Sequence, residues 1–354
     1  MGATNSTSKR RLSKRFHNNN FLINDSYDRF SNNNNNFPSS KRRISSESTL
    51  SSHSTNSFDR CTELIKTFGS RKYFNRDHVK DIFPTDNDEL KRLELTHIWN
   101  KELWEGQSFF LPVDEVFSRN AKVLDIGCGT GIWSLDMARK YPNCHFTGFD
   151  IVDNFPLELK QSNVDFALGN ILEGLPYDDN TFDLVFMRNM KGCLSQKDYN
   201  KCLQEIIRVS SRWILILDSD IILIDGGPLA NQLREEVLDE LMKNYDINMM
   251  PSSIIRKCLE DNNQLSDIHF EDKQCPIGEW GGRLGTLYLE ILKWATKNLY
   301  HSVSTLYSEE EYNLKVDEAF EELNHYNGYD MVFRICAKKN VEKRKSLKKI
   351  VRNT

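Results

Sequence analysis

The sequence predicts an α/β fold of the Rossmann-like, doubly wound type. We expect a mainly parallel seven-stranded sheet with helices on both faces, preceded by a helical extension and a disordered N-terminal tail. Strand-like and helix-like segments alternate from residue 122 to residue 337, a glycine-rich turn follows the first of these strands, and polar side chains follow the next three. Alternating strands and helices of this kind favour a parallel sheet covered by helices.

The helix that leads into this pattern covers residues 86–104. Asp86 or Asp88 can cap its N-terminus, and leucine and tryptophan side chains recur on one face. The later predicted helices cover residues 133–140, 197–210, 228–245, 252–261, 284–299 and 309–325. The predicted strands cover residues 122–126, 145–149, 164–168, 182–187, 213–217, 267–271 and 331–337.

The two ends of the chain are basic and its middle is acidic. The whole chain has a net charge of −4, but residues 1–60 carry +6 and residues 338–354 carry +7, which leaves −17 for residues 61–337. An acidic domain repels phosphate backbones, which argues against nucleic acid as its partner. The basic tails could still contact a membrane or a protein.

Composition also suggests the domain boundaries. Residues 1–58 are rich in serine and asparagine and poor in aliphatic residues, so they cannot bury enough surface to fold. We therefore expect a disordered tail over 1–58, one folded domain over 59–337 and a basic tail over 338–354. Within the domain we expect a helical lead-in (59–119), a core that carries the glycine turn (120–220) and a final part of helices and strands (221–337).

Cysteine usage and hydropathy indicate the compartment. No pair among the eight cysteines has CxxC spacing, so neither a zinc site nor a redox dithiol is indicated. Scattered thiols and the absence of a secretory signal lead us to expect a cytoplasmic or nuclear protein. No segment is long and apolar enough to span a bilayer. The most apolar run, 213–224, is interrupted by Asp218 and Asp220, and we interpret it as a buried strand and its exit loop.

The most informative motif is the stretch from Val123 to Gly131, which reads Val-Leu-Asp-Ile-Gly-Cys-Gly-Thr-Gly. A buried strand ends at Ile126, and glycines permit the sharp turn that must follow while letting a ligand approach the backbone. A ligand would lie outside the carboxyl ends of the strands. The predicted contacts from this motif are Asp125, Gly127, Cys128, Gly129, Thr130 and Gly131.

Two ligand classes use such a turn. Dinucleotides need the spacing GxGxxG and place a pyrophosphate at the helix N-terminus. Here the spacing is GxGxG, and Asp125 stands two residues before the first glycine. Its carboxylate would repel a pyrophosphate but attract an ammonium group. S-adenosyl-L-methionine carries an ammonium and a sulfonium but no phosphate, so the sequence favours this cofactor over a nicotinamide dinucleotide.

Candidate side chains follow three more strands. Asp150 ends the second strand, where a carboxylate can accept hydrogen bonds from both ribose hydroxyls, and Asn170, after the third strand, could accept from an adenine amino group. The predicted adenosine contacts are Asp150, Ile151, Asn170 and Ile171. Arg188 and Asn189 follow the fourth strand, and either could line the methionine end of the cofactor. The alternative in each case is a solvated strand end or a turn without a ligand. No metal site is predicted.

Residues 120–220 resemble class I S-adenosylmethionine-dependent methyltransferases, because the glycine motif, the acidic strand end and the strand Phe182-Asp183-Leu184-Val185 occur in the same order. A narrower resemblance covers residues 70–300. The stretch from Pro84 to Leu93, with His97, is similar to the P-x-D-x-x-E-x-x-R-L…H helix of fungal LaeA-like methyltransferases. This resemblance implies a regulatory or secondary-metabolism methyltransferase with an unidentified acceptor. It also implies a leading helix that covers the cofactor site, with Arg92 and His97 near it.

The same resemblance includes Gly131-Ile132-Trp133 and the glycine-rich segment 278–285 around Trp280. We consider two interpretations of that segment, a loop at the acceptor pocket and a structural turn packed by the indole. Two positions depart from the usual pattern. Ser210-Ser211-Arg212 replaces a Pro-Gly-Gly loop before the fifth strand, which puts the local geometry in doubt. Asn170 replaces an aspartate, which weakens the expected adenine binding.

We therefore predict an S-adenosylmethionine-dependent methyltransferase that acts on a small-molecule or protein acceptor. The alternative is a regulatory interaction protein that keeps the fold with little or no catalysis. Methyl transfer depends mainly on alignment and needs a base only when the acceptor must lose a proton, so no catalytic residue is assigned. No [D/N]PPY motif follows the fourth strand, which disfavours an adenine or glutamine amide acceptor. His97 is the only base near the predicted pocket, and a lone histidine is more often structural.

The N-terminus carries a separate hypothesis. Residues 1–6 read Met-Gly-Ala-Thr-Asn-Ser, which matches the pattern for myristoylation of Gly2. One acyl chain binds membranes only marginally, and the basic residues at 9–15 could supply the second signal, which would give peripheral membrane attachment. The same basic clusters also fit phosphorylation sites or a nuclear import signal, and a serine-rich tail often matches the acylation pattern by chance.

Overall fold

The computed structural model describes residues 65–74, 82–105, 113–117, 120–247 and 249–340. The predicted N-terminal tail and the lipidation, phosphorylation and import hypotheses lie outside the described residues, as does the C-terminal tail after Asn340. In the part of the chain that is described, no helix combines the length and the apolar composition that crossing a bilayer requires.

A small antiparallel hairpin opens the described chain. Its strands, β1 (Ile65–Phe68) and β2 (Arg71–Phe74), precede helix α1 (Asn87–Leu103) and the short helix α2 (Val113–Val116). The predicted cap of α1 is present, because the Asp86 carboxylate accepts from the backbone N–H of Glu89 at 3.2 Å. The hairpin was not predicted, because strands of only four residues give no clear alternating pattern. Arg71 joins the hairpin to α1 through Asp86, with Nη2 to Oδ1 at 2.9 Å.

The central sheet has seven strands, as the sequence predicts. They are β3 (Lys122–Ile126), β4 (His145–Asp150), β5 (Val164–Leu168), β6 (Phe182–Arg188), β7 (Ser210–Ile224), β8 (Leu265–Pro276) and β9 (Tyr329–Lys339). Their order across the sheet is β5-β4-β3-β6-β7-β9-β8. The first five strands are parallel, and only β9 runs antiparallel to its neighbours β7 and β8. The order reverses between β3 and β6, and the carboxyl ends on both sides of that point face the same crevice.

Helices cover the sheet as predicted, and their bounds agree with the sequence pattern to within two residues. They are α3 (Ile132–Lys140), α4 (Gln196–Val209), α5 (Pro228–Tyr245), α6 (Ser252–Glu260), α7 (Gly282–Asn298), α8 (Tyr300–Val303) and α9 (Glu309–Leu323). The one-turn helix α8 was not predicted. Capping boxes at Ser195 and Ser308 fix the starts of α4 and α9. Side chains of β3, β6, β7, α4 and α6 form a continuous buried core.

The fifth predicted strand is longer than expected. We predicted residues 213–217 and an exit loop, whereas β7 continues to Ile224 with Asp218 and Asp220 inside it. Both carboxylates are buried but bonded. Asp218 accepts from the backbone N–H groups of Met190 and Lys191 at 2.8 and 3.0 Å, and Asp220 accepts from that of Ser252 at 3.0 Å. Buried acids are tolerated when such donors satisfy them, so the exit-loop interpretation was wrong.

The Ser210-Ser211-Arg212 departure has a structural explanation. Helix α4 ends at Val209 and β7 begins at Ser210, so no loop of the Pro-Gly-Gly type separates them. The buried ammonium of Lys339 closes this junction. It donates to the carbonyl oxygens of Ile207, Arg208 and Ser210 at 2.6, 3.2 and 2.9 Å. The departure therefore reflects a different way of ending α4.

Replacing Lys339 tests this explanation. Lys339→Met removes a charged donor from buried carbonyl groups, and we expect the free energy of unfolding to fall by about 2–4 kcal/mol. Urea denaturation followed by circular dichroism measures the loss. Lys257→Met is the matched control, because its ion pair with Asp261 is exposed to solvent and should contribute little to stability. Equal stabilities of the two variants would contradict the explanation.

Candidate functional site

The glycine loop after β3 turns through left-handed backbone conformations. Gly127, Gly129 and Gly131 have φ angles of 64°, 55° and 66°, which glycine adopts without the strain that a side chain would add. Neighbouring atoms also leave no room at two of these positions. A Cβ atom at Gly127 would lie 2.4 Å from the sulfur of Met190, and one at Gly131 would lie 2.4 Å from the ring of Phe166.

A cavity of 380 Å³ lies against this loop at the carboxyl ends of the parallel strands. Its size is within the range of sites for small molecules and cofactors. All but one of the predicted ligand residues line it. They are Asp125, Gly127, Cys128, Gly129, Thr130, Asp150, Ile151, Asn170, Ile171, Arg188 and Asn189. Gly131 does not reach the cavity, because it occupies the N-cap of α3 and faces Phe166.

Asp150 ties the glycine loop to the neighbouring strand. Its Oδ2 accepts from the backbone N–H of Gly129 at 2.7 Å, and its Oδ1 accepts from that of Val152 at 3.0 Å. Burial raises the pKa of this carboxyl group, and the backbone hydrogen bonds oppose that rise. A carboxylate has about four lone-pair sites, so each oxygen can still accept a bond from a ligand in the cavity.

Asn170 begins the short 3₁₀ turn that follows β5. Its side-chain oxygen accepts from the backbone N–H of Leu172 at 2.9 Å. This bond fixes the amide at the wall of the cavity and uses one lone pair of the oxygen that the sequence assigns to adenine. The amide therefore has both a turn-forming role and an open position toward the cavity.

Asp125 and Arg188 place opposite charges beside the loop. Asp125 is buried and accepts from the hydroxyl of Ser134 at 2.7 Å. Burial raises the pKa of Asp125 to about 7, while the bond from Ser134 and the charge of Arg188 oppose the rise. Burial also lowers the pKa of Arg188 to about 10, which leaves the guanidinium charged at neutral pH. The cavity wall thus offers a carboxyl group and a charged guanidinium group to a ligand that carries both a positive and a negative charge.

Side chains from α1 and α3 contact one another in series on the side of Arg188 away from the cavity. Its guanidinium lies 3.3 Å from Nδ1 of His97, whose Nε2 lies 3.6 Å from Oδ2 of Asp136. Asp136 also accepts from Lys101 at 2.8 Å. Burial lowers the pKa of His97 to about 4, so the imidazole is neutral and its Nδ1 can accept from Arg188. His97 does not line the cavity, and its position is that of a residue that orients Arg188.

Helix α1 covers the loop. Leu93 lies close to Gly129, since a Cβ atom added to Gly129 would be 3.9 Å from a methyl group of Leu93. On the same helix, Arg92 donates to Glu89 through Nε at 2.9 Å, and Glu89 also accepts from Asn298 at 2.7 Å. Arg92, Glu89 and Leu93 all line the cavity. The position of α1 agrees with what the resemblance implied for the leading helix, and it brings Arg92 to the site.

The far wall of the cavity comes from segments that we did not predict as part of the site. Helix α7 contributes one face, and the chain after β6 and inside β7 contributes Lys191 and Ser219. The α7 lining residues are Tyr288, Ile291, Leu292, Ala295 and Thr296. Their three- and four-residue spacing is visible in the sequence, but it indicates only a buried helix face. Trp280 does not line the cavity. Its indole donates to the carbonyls of Ile277 and Gly328 at 3.0 and 3.1 Å, which supports the structural-turn interpretation.

The comparisons with known proteins agree with this architecture. The family described as "Methyltransferase domain" matches residues 123–212. The secondary metabolism regulator LAE1 of Cochliobolus heterostrophus is 29% identical over 145 residues, which are 40% of this chain and 46% of that protein. Methyltransferase str3 of Strobilurus tenacellus is 27% identical over 208 residues, which are 55% of this chain and 70% of that protein. The match thus spans less than half the length of the regulator.

A solved structure of a phosphoethanolamine N-methyltransferase from Haemonchus contortus, bound to S-adenosylhomocysteine, is also similar. It has a TM-score of 0.45 and 19% identity, and the match covers 68% of this chain and 53% of that chain. The matched domain, residues 123–212, includes the glycine loop and strands β4 to β6, and it supports a class I methyltransferase of the type that uses S-adenosylmethionine. Within that class it resembles the LaeA regulators and the Strobilurus methyltransferases.

The buried state of His97 gives a prediction about stability and pH. The unfolded chain binds a proton at this histidine near its ordinary pKa of 6.5, whereas the folded protein binds it only near 4. The unfolded state therefore holds more protons between these values, and stability falls as the pH falls through that window. Relative to His97→Gln, the wild type should lose about 3 kcal/mol between pH 7 and pH 4.

Urea denaturation of both proteins at a series of pH values measures this difference. The glutamine side chain can still accept from Arg188 but does not titrate, so the comparison isolates the imidazole. A stability difference that stays constant from pH 7 to pH 4 would show that His97 is not held neutral by burial.

Proposed function

We propose that this protein is an active methyltransferase that moves the methyl group of S-adenosylmethionine to an acceptor bound in the same cavity. The observation that carries the proposal is the continuity of the site. One cavity joins the glycine loop of β3 to the face of α7, so a cofactor on the loop and an acceptor beside α7 would meet without leaving the protein. Holding two reactants in contact supplies most of what an in-line displacement requires.

The residues at the loop fit the parts of this cofactor. Asp150 would hold the ribose hydroxyls with the lone pairs that Gly129 and Val152 do not use. Ile171 and the Asn170 amide would line the adenine. Asp125 and Arg188 would face the ammonium and carboxylate groups of the amino acid end, with Asn189 next to them. In this assignment the ammonium group faces Asp125 and the carboxylate group faces Arg188. No phosphate group is needed, which agrees with the GxGxG spacing.

When bound, S-adenosylmethionine supplies a methyl group on a positively charged sulfur, which is a strong electrophile. The chain's own residues bind, orient and exclude water. Helix α1 covers the loop through Leu93, and His97 and Asp136 hold Arg188 in place. A base is needed only for an acceptor that must lose a proton, and none of the described residues that line the cavity is a histidine.

The second candidate function is a regulator that keeps the fold with little catalysis. The name of the relative LAE1 as a secondary metabolism regulator favours it. The departure at Ser210-Ser211-Arg212 does not, because Lys339 accounts for it at the α4–β7 junction. Purified protein with labelled S-adenosylmethionine and cell extract distinguishes the two functions. Methyl transfer into any extract component supports the enzyme, and its absence at saturating cofactor supports the regulator.

Asp150 provides the first test of cofactor binding. We expect Asp150→Ala to weaken S-adenosylmethionine binding about tenfold to a few hundredfold, because it removes a charged acceptor for two hydroxyls. Isothermal titration calorimetry measures the dissociation constant. Asp153→Ala is the matched control, since Asp153 is exposed and does not line the cavity. Equal affinity in both variants, with both folded by circular dichroism, would remove Asp150 from the site.

Asp125 gives a prediction about pH. With a pKa of about 7, this carboxyl group is mostly protonated at pH 6, and an ammonium ion placed beside it favours the charged form. Binding should therefore release close to one proton at pH 6 and almost none at pH 8, and affinity should rise about tenfold between them. S-adenosylhomocysteine is the suitable ligand, because it keeps the ammonium without the sulfonium charge.

Calorimetry in two buffers with different ionisation enthalpies counts the protons released. Asp125→Asn should bind with no proton release at either pH. Binding by the wild type at pH 6 without proton release would place the ammonium elsewhere.

Contact of the basic tails with a membrane or a protein, and a cytoplasmic or nuclear location, remain predictions from the sequence.

A further inference from the structure

The side of the cavity formed by β7 and α7 is mostly apolar. Tyr288, Ile291, Leu292 and Ala295 lie on one face of α7, and Ile221 lines the same side from β7. The phenol of Tyr288 is already engaged, because it donates to Asp330 at 2.8 Å. An acceptor in this part of the cavity would therefore meet hydrocarbon on most of its surface.

Lys191 places one positive charge beside this apolar side of the cavity. It follows β6, lines the cavity, and its Nζ donates to the hydroxyl of Ser219. Among the described residues, no carboxylate oxygen lies within ion-pair distance, 4.0 Å, of this ammonium. Of the two other cations among the described lining residues, Arg92 is paired with Glu89, and Arg188, which likewise has no carboxylate oxygen within 4.0 Å, lies against Nδ1 of His97.

Two buried carboxylates stand behind Lys191 and do not line the cavity. Asp218 is bonded to backbone N–H groups, including that of Ser219 at 2.9 Å, and Asp330 is bonded to Tyr288 and to the N–H of Met331 at 2.9 Å. The oxygens of both carboxylates accept hydrogen bonds from protein donors. The surface that a ligand would meet is thus an ammonium and a hydroxyl, both able to donate.

We propose that the side of the cavity formed by β7 and α7 binds the methyl acceptor. The acceptor is a small, largely apolar carboxylate held by Nζ of Lys191 and the hydroxyl of Ser219. The proposal rests on the proposed methyltransferase function and adds the class of substrate. A carboxylate matches the two convergent donors, and an apolar body matches the face of α7.

The chemistry is consistent without a base. One oxygen of the carboxylate already bears a lone pair and negative charge. That lone pair forms the new O–C bond to the methyl carbon while the C–S bond breaks, and the electrons of the broken bond stay on sulfur. The products are a neutral methyl ester and a neutral thioether, so no proton moves. This agrees with the absence of histidine among the described residues of the lining.

Lys191 acts in binding and not in accelerating the displacement. The carboxylate loses its charge as the bond forms, so the ammonium stabilises the bound acceptor at least as well as the transition state. An interaction of that kind lowers KM without raising kcat. The test of the proposal therefore uses acceptor binding as its main readout.

The experiment uses the full chain saturated with S-adenosylhomocysteine and three probes of one shape, which are a naphthalene carboxylate, a naphthol and a naphthalene methylamine. Calorimetry or probe fluorescence gives each dissociation constant. We expect the carboxylate to bind at least tenfold more tightly than the other two. Lys191→Met should weaken carboxylate binding about tenfold to a hundredfold, Lys191→Arg should keep most of it, and Ser219→Ala should cost several-fold.

Lys197→Met is the matched control, because Lys197 is an exposed lysine of α4 outside the cavity, and it should bind all three probes as the wild type does. S-adenosylhomocysteine affinity, measured first in every variant, should stay within twofold of the wild type. A wild-type preference for the amine or the naphthol, or unchanged carboxylate affinity in a folded Lys191→Met, overturns this proposal while the proposed function stands. Failure of the wild type to bind S-adenosylhomocysteine overturns both.

Discussion

The hydrogen bond from the backbone N–H of Gly129 to the carboxylate of Asp150 positions the rest of the site. It is 2.7 Å long and joins the turn after β3 to the end of β4, the two strands on which a nucleoside would rest. The left-handed glycines make the turn possible, and Met190 and Phe166 pack where side chains on them would be. This bond fixes the glycine loop against the sheet. The backbone of the loop, Asp125 and the covering helix α1 therefore have defined positions relative to each other.

Buried charge is organised in the same way throughout the described chain. Lys339 closes the end of α4, Asp218 and Asp220 hold backbone N–H groups inside β7, and the series from Lys101 to Arg188 links α1 to the cavity. In each case a charged group is bonded to protein before any ligand arrives, which offsets part of the cost of burying it. At Lys191 the bonded partner is a neutral hydroxyl, that of Ser219. This ammonium is the one that we propose to bind the methyl acceptor.

The parts of the fold and site that the sequence predicts are those that depend on neighbouring residues. Strand ends, the glycine spacing and the position of Asp150 follow from local patterns, and the topology rules for parallel sheets then bring the strand ends together. The β1–β2 hairpin is too short to give such a pattern. The length of β7 was missed because Asp218 resembles a loop residue until its backbone partners, Met190 and Lys191, are known from the tertiary structure.

The far wall of the cavity was missed for a related reason. Its wall combines Lys191, Ser219 and α7, which are far apart in sequence and share no motif. The spacing of Tyr288, Ile291 and Leu292 indicates a buried face but not the cavity that it borders. Likewise, sequence alone could not place His97 behind Arg188, because that position depends on how α1 packs over the sheet.

A structure of the full chain with S-adenosylhomocysteine at saturating concentration tests the central claim most directly. We predict nucleoside density in the cavity beside the glycine loop, with both ribose hydroxyls within hydrogen-bonding distance of Asp150 and the amino acid end between Asp125 and Arg188. An empty cavity under those conditions, or a nucleoside bound away from Asp150, would contradict the account.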